Sequence, residues 1–400
     1  VMATIMVALG NRFPLIRAHK VLTAYGCLVP RLITGGFDPT RHRAIWPSTG
    51  NYCRGGVAIS RIMGCRSAAV LPEGMSRERF QWLENWVTDQ ADIIRTCGTE
   101  SNVKEIYDAC NDLAQDRENV ILNQFREFGN YIIHRAVTGP ALEAIFNAVQ
   151  GTRKLKARAF ISASGSAGTL AAGDYLKARL GADIGAVEAI ECPTLLYNGF
   201  GEHNIQGIGD KHVPLIHNVM NTDYVIGISD AASDALNLLF NTSSGRGFLA
   251  ERTSLGQEFL GALADLGLSA IANVLGAIKL AKYANMDAED VILTVATDGS
   301  EMYGTEQGKA ILDQPDGRFD TTTAAEIYGR YILGIATDHL LETSRRDRER
   351  IFNLGYYTWV EQQGVDIPSF EIRREQSFWD SLMANVPRWD AMIDDFNSDL

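Results

Sequence analysis

The sequence lacks any apolar run long enough to span a membrane. Its longest runs, such as 291–296, are far shorter than the roughly 18 residues that a span requires. The apolar start at 1–9 has neither a basic flank nor a cleavage pattern, so we expect no signal peptide. Basic residues are also scarce, with 37 Lys and Arg against 49 Asp and Glu and a net charge of −12. This charge excludes a general nucleic-acid binder, which needs a basic face, and favours an enzyme that acts on small molecules.

Cysteine is sparse as well. The 6 cysteines are spread over 400 residues, and no two of them form a C-x-x-C pair. A chain of this size does not need a disulfide framework, so we expect reduced thiols in a cytoplasmic protein. No cysteine and histidine have the spacing of a structural zinc site, and we predict no metal.

Short apolar runs alternate with amphipathic stretches up to about residue 304, which predicts β-α-β units and mostly parallel sheets in an α/β fold. The predicted strands are 4–9, 44–46, 68–71, 92–95, 120–122, 157–162, 184–189, 224–228 and 292–296. The predicted helices are 57–63, 77–87, 103–114, 141–149, 169–180, 231–239 and 270–283. Beyond residue 311 the alternation stops, and acidic, aromatic-rich helical turns predict a C-terminal helical extension over 311–400.

The loops that follow strands are the places to look for a site, because ligands of parallel sheets bind at the carboxyl ends of strands. The loop from Ser164 to Thr169 (SGSAGT) follows one predicted strand and opens a helix. Its small residues let backbone N–H groups converge at a helix N-terminus, which makes either a phosphate cradle or a tight turn. No Lys follows the last Gly and the pattern is not G-x-G-x-x-G, so neither a P-loop nor a dinucleotide site is favoured.

For a second loop and for one lysine, the sequence likewise allows either a binding or catalytic role or a purely structural one. The loop from Pro47 to Tyr52 (PSTGNY) follows a predicted strand and either binds a carboxylate or only caps a helix. Lys20 lies near the start of a helical stretch. A lone Lys is usually a solvated charge, but a Lys buried beside a phosphate cradle loses its proton readily and can form a Schiff base.

Five segments in order resemble the cysteine synthase and cystathionine β-synthase family, the tryptophan-synthase-β-like pyridoxal-phosphate enzymes of fold type II. Their sequences are PSTGNYC followed by LPEGMSRERF, LNQF followed by IHRAVTGPALEAI, SGSAGTLAAGDYLK, VEAIECPTLL followed by EHNIQGIGDKHVP, and GLSAIANVLGAIKLAK followed by TDGSEMY. They look like the family's TSGNTG, QF.NP, GTGGT, H.IQGIG and PDSGERY motifs. The resemblance implies two open, twisted, mostly parallel sheets with flanking helices.

The resemblance also implies domains, a cofactor and an assembly. Residues 1–29 and 131–310 would form a large cofactor-binding domain, and 30–130 a small mobile substrate domain. The cofactor would be pyridoxal 5′-phosphate and the partner a small amino-acid substrate. A cytoplasmic homodimer that binds neither nucleic acid nor membrane is the corresponding expectation.

Site residues follow from the same resemblance, motif by motif. The family has its Schiff-base lysine about thirty residues before the Asn of TSGN, which implies that Lys20 is the catalytic and cofactor-binding lysine. Asn51 would bond the cofactor's ring hydroxyl. The residues that would hold the cofactor phosphate are Gly165, Ser166, Ala167, Gly168 and Thr169. Those that would surround the substrate carboxylate are Ser48, Thr49, Gly50, Asn51, Tyr52 and Gln124.

Two departures from the family's pattern affect these roles. Tyr52 brings a large ring where the family has a small hydroxyl, which we expect to reshape the substrate pocket. Gly299 stands where the family has the Ser that meets the pyridine nitrogen. A neighbour would take over, either Thr297 or Ser300 through a hydroxyl, which we prefer, or Asp298 through a carboxylate.

The predicted function is catalysis at Cβ of a small amino acid through an external aldimine and an aminoacrylate. β-Replacement, as in cysteine synthase, is the preferred reaction. The alternatives are a β-eliminating lyase or ammonia-lyase on a different amino acid, and a regulatory subunit that binds the cofactor without catalysis. A dehydrogenase is a weaker alternative, because the loop lacks the acidic partner of a nucleotide site.

Overall fold

The computed structural model describes residues 2–398. Val1, Asp399 and Leu400, which lie at the ends of the predicted large domain and extension, are outside the described residues. Ten strands are found in chain order within 2–398: β1 (Thr4–Leu9), β2 (Arg43–Pro47), β3 (Arg66–Pro72), β4 (Ile93–Thr96), β5 (Asn119–Ile121), β6 (Lys156–Ala163), β7 (Asp183–Ala189), β8 (Tyr224–Ile228), β9 (Asp290–Ala296) and β10 (Leu340–Glu342).

These strands form two sheets. The larger has the order β1-β9-β6-β7-β8-β10, and the smaller has the order β4-β3-β2-β5. All pairings are parallel except that of β10 with β8, which is antiparallel. The prediction of an α/β fold with two mostly parallel sheets is confirmed.

Helices connect and cover the strands. Within the described residues they are α1 (Lys20–Ile33), α2 (Asn51–Ile62), α3 (Arg77–Trp86), α4 (Val103–Leu113), α5 (Phe128–Ile133), α6 (Gly139–Gln150), α7 (Leu170–Leu180), α8 (Thr194–Tyr197), α9 (Asp230–Asn241), α10 (Ser243–Arg252), α11 (Gln257–Ala262), α12 (Leu268–Tyr283), α13 (Gly304–Leu312), α14 (Thr321–Tyr328), α15 (Arg345–Tyr356), α16 (Ile367–Glu371), α17 (Gln376–Leu382) and α18 (Asn385–Ser398). The nine predicted strands and seven predicted helices each coincide with one of these elements; the strands 4–9 and 224–228 have the predicted ends, and the ends of the others are shifted.

The larger sheet is buried on both faces, as the continuous apolar runs of its strands predict. Successive side chains of a strand point to opposite faces, so Phe160 and Ile161 of β6 belong to different apolar clusters. Ile161 packs in the cluster that contains Leu275 of α12, and Phe160 packs in the cluster that contains Leu176 of α7. Helix α12 is apolar all round because it is almost entirely buried.

The C-terminal extension packs onto the rest of the chain and is not wholly helical. Strand β10 adds an edge strand to the larger sheet, which the helical prediction missed because this strand is only three residues long. Trp359 donates its indole N–H to the carbonyl of Val213 at 2.7 Å. Trp379 is fully buried and packs against Tyr131 of α5, with ring centroids 4.8 Å apart.

Each strand of the smaller sheet falls between residues 43 and 121, but the predicted domain boundaries stay a prediction, since the sheets do not test where a domain ends.

No single helix among the described residues is long and apolar enough to cross a membrane. The bent pair of 257–265 and 268–283 passes that test only when its two halves are taken together.

We predict that the extension contributes to the stability of the whole chain. Trp379→Ala removes a fully buried indole, which typically costs about 3–5 kcal/mol in the free energy of unfolding. Tyr357→Ala is the matched control because this aromatic residue of the same extension is 67% exposed, and its effect stays within about 0.5 kcal/mol. Urea unfolding measures both, and equal midpoints for Trp379→Ala and the wild type would contradict the prediction.

Candidate active site

Lys20 is the first residue of α1, and its amine lies where loops of both sheets meet. The Nζ atom donates to Gln124 Oε1 and to Ser166 Oγ, each at 3.0 Å. Gln124 follows β5 of the smaller sheet, and Ser166 follows β6 of the larger sheet. Burial lowers the pKa of Lys20 from its usual value to about 8. The neutral, nucleophilic form of this amine is therefore far more populated near physiological pH than that of an ordinary lysine, although it is still the minor form.

The turn from Gly165 to Thr169 is an anion cradle. Within the described residues, none of its five backbone N–H groups donates to a protein acceptor. The turn leads directly into α7, whose N-terminus adds a positive dipole. Ala167 adopts a φ of 63°, a left-handed conformation that turns successive N–H groups to one side.

Close packing explains the small residues of this turn. A side chain at Gly165 would place its Cβ 2.8 Å from the carbonyl oxygen of Gly207. A Cβ at Gly168 would lie 2.2 Å from Asn130 Oδ1. Asn130 is fully buried and donates at 3.0 Å to Ser166 Oγ, so it fixes the hydroxyl that Lys20 contacts.

The loop before α2 offers a second set of backbone donors. The N–H groups of Thr49, Asn51 and Tyr52 donate to no acceptor among the described residues. Ser48 Oγ accepts from Gln124 Nε2 at 3.0 Å, which holds this loop beside the glutamine that contacts Lys20. Free donors at a helix N-terminus suit a carboxylate.

The side chain of Asn51 is engaged in a buried polar network behind the cleft. Its Nδ2 donates to Asp298 Oδ2 at 2.7 Å, and its Oδ1 accepts from Arg54 Nη1 at 2.8 Å. Asp298 also accepts from the hydroxyl of Tyr303 at 2.9 Å and lies 3.7 Å from Arg79 Nη2. This network ties the loop after β2 to the loop after β9. The predicted contact of Asn51 with a ring hydroxyl stays a prediction.

The three candidates for the pyridine nitrogen differ in position. Thr297 lines the cleft on both sides of Lys20, whereas the cleft lining includes neither Asp298 nor Ser300. The carboxyl of Asp298 is fully buried and directed into the network with Asn51 and Tyr303. Thr297 is therefore the candidate that lines the cleft, and which residue meets the pyridine nitrogen stays a prediction.

The side chain of Tyr52 is fully buried. Its ring packs against Trp46 in the core of the smaller sheet, and its hydroxyl donates to the carbonyl of Leu122 at 2.8 Å. Tyr52 nevertheless belongs to the lining of the pocket around Lys20, so its predicted place beside the substrate stays a prediction. Most of the remaining predicted residues do line one cleft around Lys20, namely Ser48, Thr49, Asn51, Gln124, Gly165, Ser166, Ala167, Thr169 and Thr297.

Several residues of this cleft were not predicted from the sequence, and three of them carry polar groups that bear on its chemistry. Glu100 and Asp210 line it on the side of Thr49, and Asn273 lines it on the side of the anion cradle. Glu100 follows β4, so the rule that sites lie after strands could have found it. Asn273 Oδ1 is buried without a partner in the described structure, which identifies it as a group available to a ligand. Burial raises the pKa of Glu100 to about 7.

Two histidines near Lys20 are neutral. His19 lies edge-on to His134, with ring centroids 5.4 Å apart. Burial lowers the pKa of His19 well below its usual value and that of His134 to about 3. Neither ring therefore adds a cation beside the amine of Lys20, and His19 serves as a packing residue.

These groups fit pyridoxal phosphate. Five free N–H groups at the N-terminus of α7 match the oxygens of a phosphate, and the amine of Lys20, whose pKa is lowered, adjoins them through Ser166. The close approach at Gly165 and Gly168 leaves the backbone itself as the contact surface. Ser162, whose hydroxyl lies 2.7 Å from that of Thr169, and Asn273 complete a polar wall.

Comparisons with known proteins agree with this geometry. The family described as pyridoxal-phosphate dependent enzyme matches residues 13–243. Cysteine synthase B of Campylobacter jejuni is 28% identical over 254 residues, which cover 62% of this chain and 74% of that protein.

Solved structures share the fold. A hydrogen sulfide-producing enzyme of Fusobacterium nucleatum superposes with a TM-score of 0.61 at 24% identity, covering 75% of this chain and 91% of that one. The O-acetylserine dependent cystathionine β-synthase of Helicobacter pylori gives 0.59 at 21% identity, covering 76% and 90%. The chain thus belongs to the family of pyridoxal-phosphate dependent enzymes, and its resemblance to the cysteine synthase and cystathionine β-synthase branch is confirmed.

Proposed function

We propose that this enzyme replaces a leaving group at Cβ of a small amino acid by an incoming nucleophile. The observation that carries the proposal is the position of Lys20, whose amine lies between the anion cradle and the free N–H groups before α2. Similarity to cysteine synthase B of Campylobacter jejuni supports replacement. A β-eliminating lyase is the second candidate, because the cleft contains two carboxyls, Glu100 and Asp210, that could assist a departing group.

Each group of residues in the cleft has its own role in the proposed reaction. When bound, pyridoxal phosphate withdraws electrons from Cα of an amino acid joined to its aldehyde and so acidifies the Cα proton. The amine of Lys20 takes that proton, and Gln124 and Ser166 orient the amine. The N–H groups of Thr49, Asn51 and Tyr52 bind the substrate carboxylate.

Other assigned roles remain proposals that the cleft supports. The cradle from Gly165 to Thr169 would bind the phosphate, and Thr297 would meet the ring nitrogen through its hydroxyl. The small domain, over 30–130, would close over the substrate and exclude water, which favours replacement over hydrolysis. A cytoplasmic homodimer is part of the same proposal and follows from the resemblance alone.

The first prediction concerns the phosphate cradle. Gly168→Ala pushes a methyl group toward Asn130 Oδ1, 2.2 Å away, and disturbs the turn that binds phosphate. We expect the dissociation constant for pyridoxal phosphate to rise at least about tenfold, which corresponds to ~1.4 kcal/mol. Gly247→Ala is the control, because its Cβ would meet nothing within 4 Å. Fluorescence titration of cofactor-free protein measures both, and equal affinities would contradict the assignment.

The second prediction concerns the amine of Lys20. Its pKa is lowered to about 8, so the neutral, reactive fraction grows as the pH rises and is nearly complete above about pH 9. The rate at which cofactor-free protein captures pyridoxal phosphate therefore rises with a midpoint near pH 8 and levels off above about pH 9. Stopped-flow visible absorbance follows this rate, with Lys20→Ala as the blank. A rate that still climbs steeply near pH 10 would indicate an ordinary, solvated lysine.

The third prediction concerns the reaction. With O-acetylserine and sulfide, we expect cysteine and acetate to form in equal amounts and keto acid to remain a minor product. Mass spectrometry of the amino-acid product and a keto-acid assay distinguish replacement from elimination, and Lys20→Ala should form neither product. Keto acid as the main product, even with saturating sulfide, would favour the lyase over the replacement enzyme.

A further inference from the structure

Two buried carboxyls, Glu100 and Asp210, line the same pocket as Lys20. Asp210 is 7% exposed and Glu100 is 1% exposed. Both adjoin Thr49 and Gln124, which belong to the proposed substrate-binding wall. Acidic groups are unexpected here, since a substrate carboxylate binds nearby and like charges repel.

The two carboxyls differ in their hydrogen bonds. Glu100 Oε1 accepts from the hydroxyl of Thr49, so this side chain is tied to the loop that binds the substrate carboxylate. The carboxyl of Asp210 has no hydrogen-bond partner within the described residues, and its Oδ2 is fully buried. A buried carboxylate without a partner is strongly disfavoured, so Asp210 either holds a proton or meets a donor supplied by the ligand.

The surrounding charges favour the protonated form of Asp210. Burial raises its pKa well above the usual range, and the nearby Glu100 raises it further, while Lys20 acts in the opposite direction. The direction of this shift favours the carboxylic acid form of Asp210, which has a proton to give. Glu100 Oε2 is also buried without a partner, but the other oxygen of Glu100 is held by Thr49, whereas neither oxygen of Asp210 has a hydrogen bond within the described residues.

We propose that Asp210 is a catalytic residue that exchanges a proton with the group leaving or entering at Cβ of the substrate. This proposal rests on the proposed function, and it assigns Lys20 and Asp210 to different protons. Lys20 removes the proton from Cα and later returns it. Asp210 and Lys20 line the same pocket, and in this proposal Asp210 serves the group on the neighbouring carbon.

The proton and electron balance is as follows. On elimination, Lys20 takes the Cα proton, and the electrons of the Cα–H bond become the Cα=Cβ double bond. The leaving group departs with the electron pair of its bond to Cβ and takes the proton of Asp210, which becomes a carboxylate. On addition, the nucleophile uses a lone pair to bond to Cβ and gives its proton to Asp210, and Lys20 returns its proton to Cα.

The test uses the holoenzyme and leaving groups that differ in their need for a proton. In β-chloroalanine, chloride leaves without a proton, whereas the leaving groups of serine and cysteine are poor unless protonated. For Asp210→Asn we expect kcat to fall about a hundredfold or more with serine or cysteine and less than about threefold with β-chloroalanine. Asp210→Glu, which restores an acid, should recover part of the loss. Asp234→Asn, a change of another partly buried carboxyl outside the cleft, should leave all three rates unchanged.

A second readout does not depend on turnover. Infrared difference spectra of the holoenzyme at neutral pH should show a protonated-carboxyl C=O band that Asp210→Asn lacks. Visible absorbance of the bound cofactor shows that each variant is folded and loaded. An unchanged infrared spectrum would overturn the proposal, because Asp210 would then be ionised and have no proton to give.

The remaining outcomes separate this proposal from the proposed function. Equal losses with all leaving groups would mean that Asp210 only supports the structure, and this would overturn the proposal while the proposed function stands. A wild type that acts on β-chloroalanine but on neither serine nor cysteine also overturns it, since no acid would then assist departure. A wild type that acts on none of the three substrates would overturn the proposed function itself and, with it, this role.

Discussion

The amine of Lys20 depends on two acceptors that lie in loops of different sheets. Gln124 Oε1 and Ser166 Oγ each accept from Nζ at 3.0 Å. A lysine away from solvent loses hydration, and the lowered pKa of about 8 is the measure of that loss. Because the amine is held beside the turn that offers free N–H groups, one position in the fold combines a nucleophile, a base and an anion cradle. The chemistry proposed for this enzyme requires that combination.

A second constraint lies behind the cleft, where a fully buried carboxylate joins the two sheets. Asp298 follows β9, and it accepts from Asn51 at the start of α2 and from the hydroxyl of Tyr303. Arg79 of α3 lies 3.7 Å from it and balances its charge. A buried charge lowers the stability of the fold unless it is paired and hydrogen-bonded. Removing one partner of this network would therefore leave an uncompensated buried charge and destabilise the fold. The network therefore sets the position of the loop before α2, which we propose binds the substrate carboxylate, relative to the larger sheet.

Much of the fold was predictable, because the strands of a parallel sheet are buried on both faces and read as apolar runs. The sequence motifs also identified the loops that surround Lys20. Which loops lie close together could not be predicted from local patterns. Asp210 and Asn273 join the cleft through tertiary contacts, and Tyr52 packs its ring in the core of the smaller sheet. Strand β10 was missed because three residues give too little pattern to recognise.

The most direct measurement is to locate the lysine that carries the cofactor. Borohydride reduction of the holoenzyme fixes the pyridoxyl group to the amine to which it is bound, and peptide mass mapping then identifies the residue. The account predicts one tagged lysine, Lys20, and loss of the tag in Lys20→Ala. A tag on another lysine such as Lys177 or Lys279, or no tag at all in a protein that retains its bound cofactor, would contradict it.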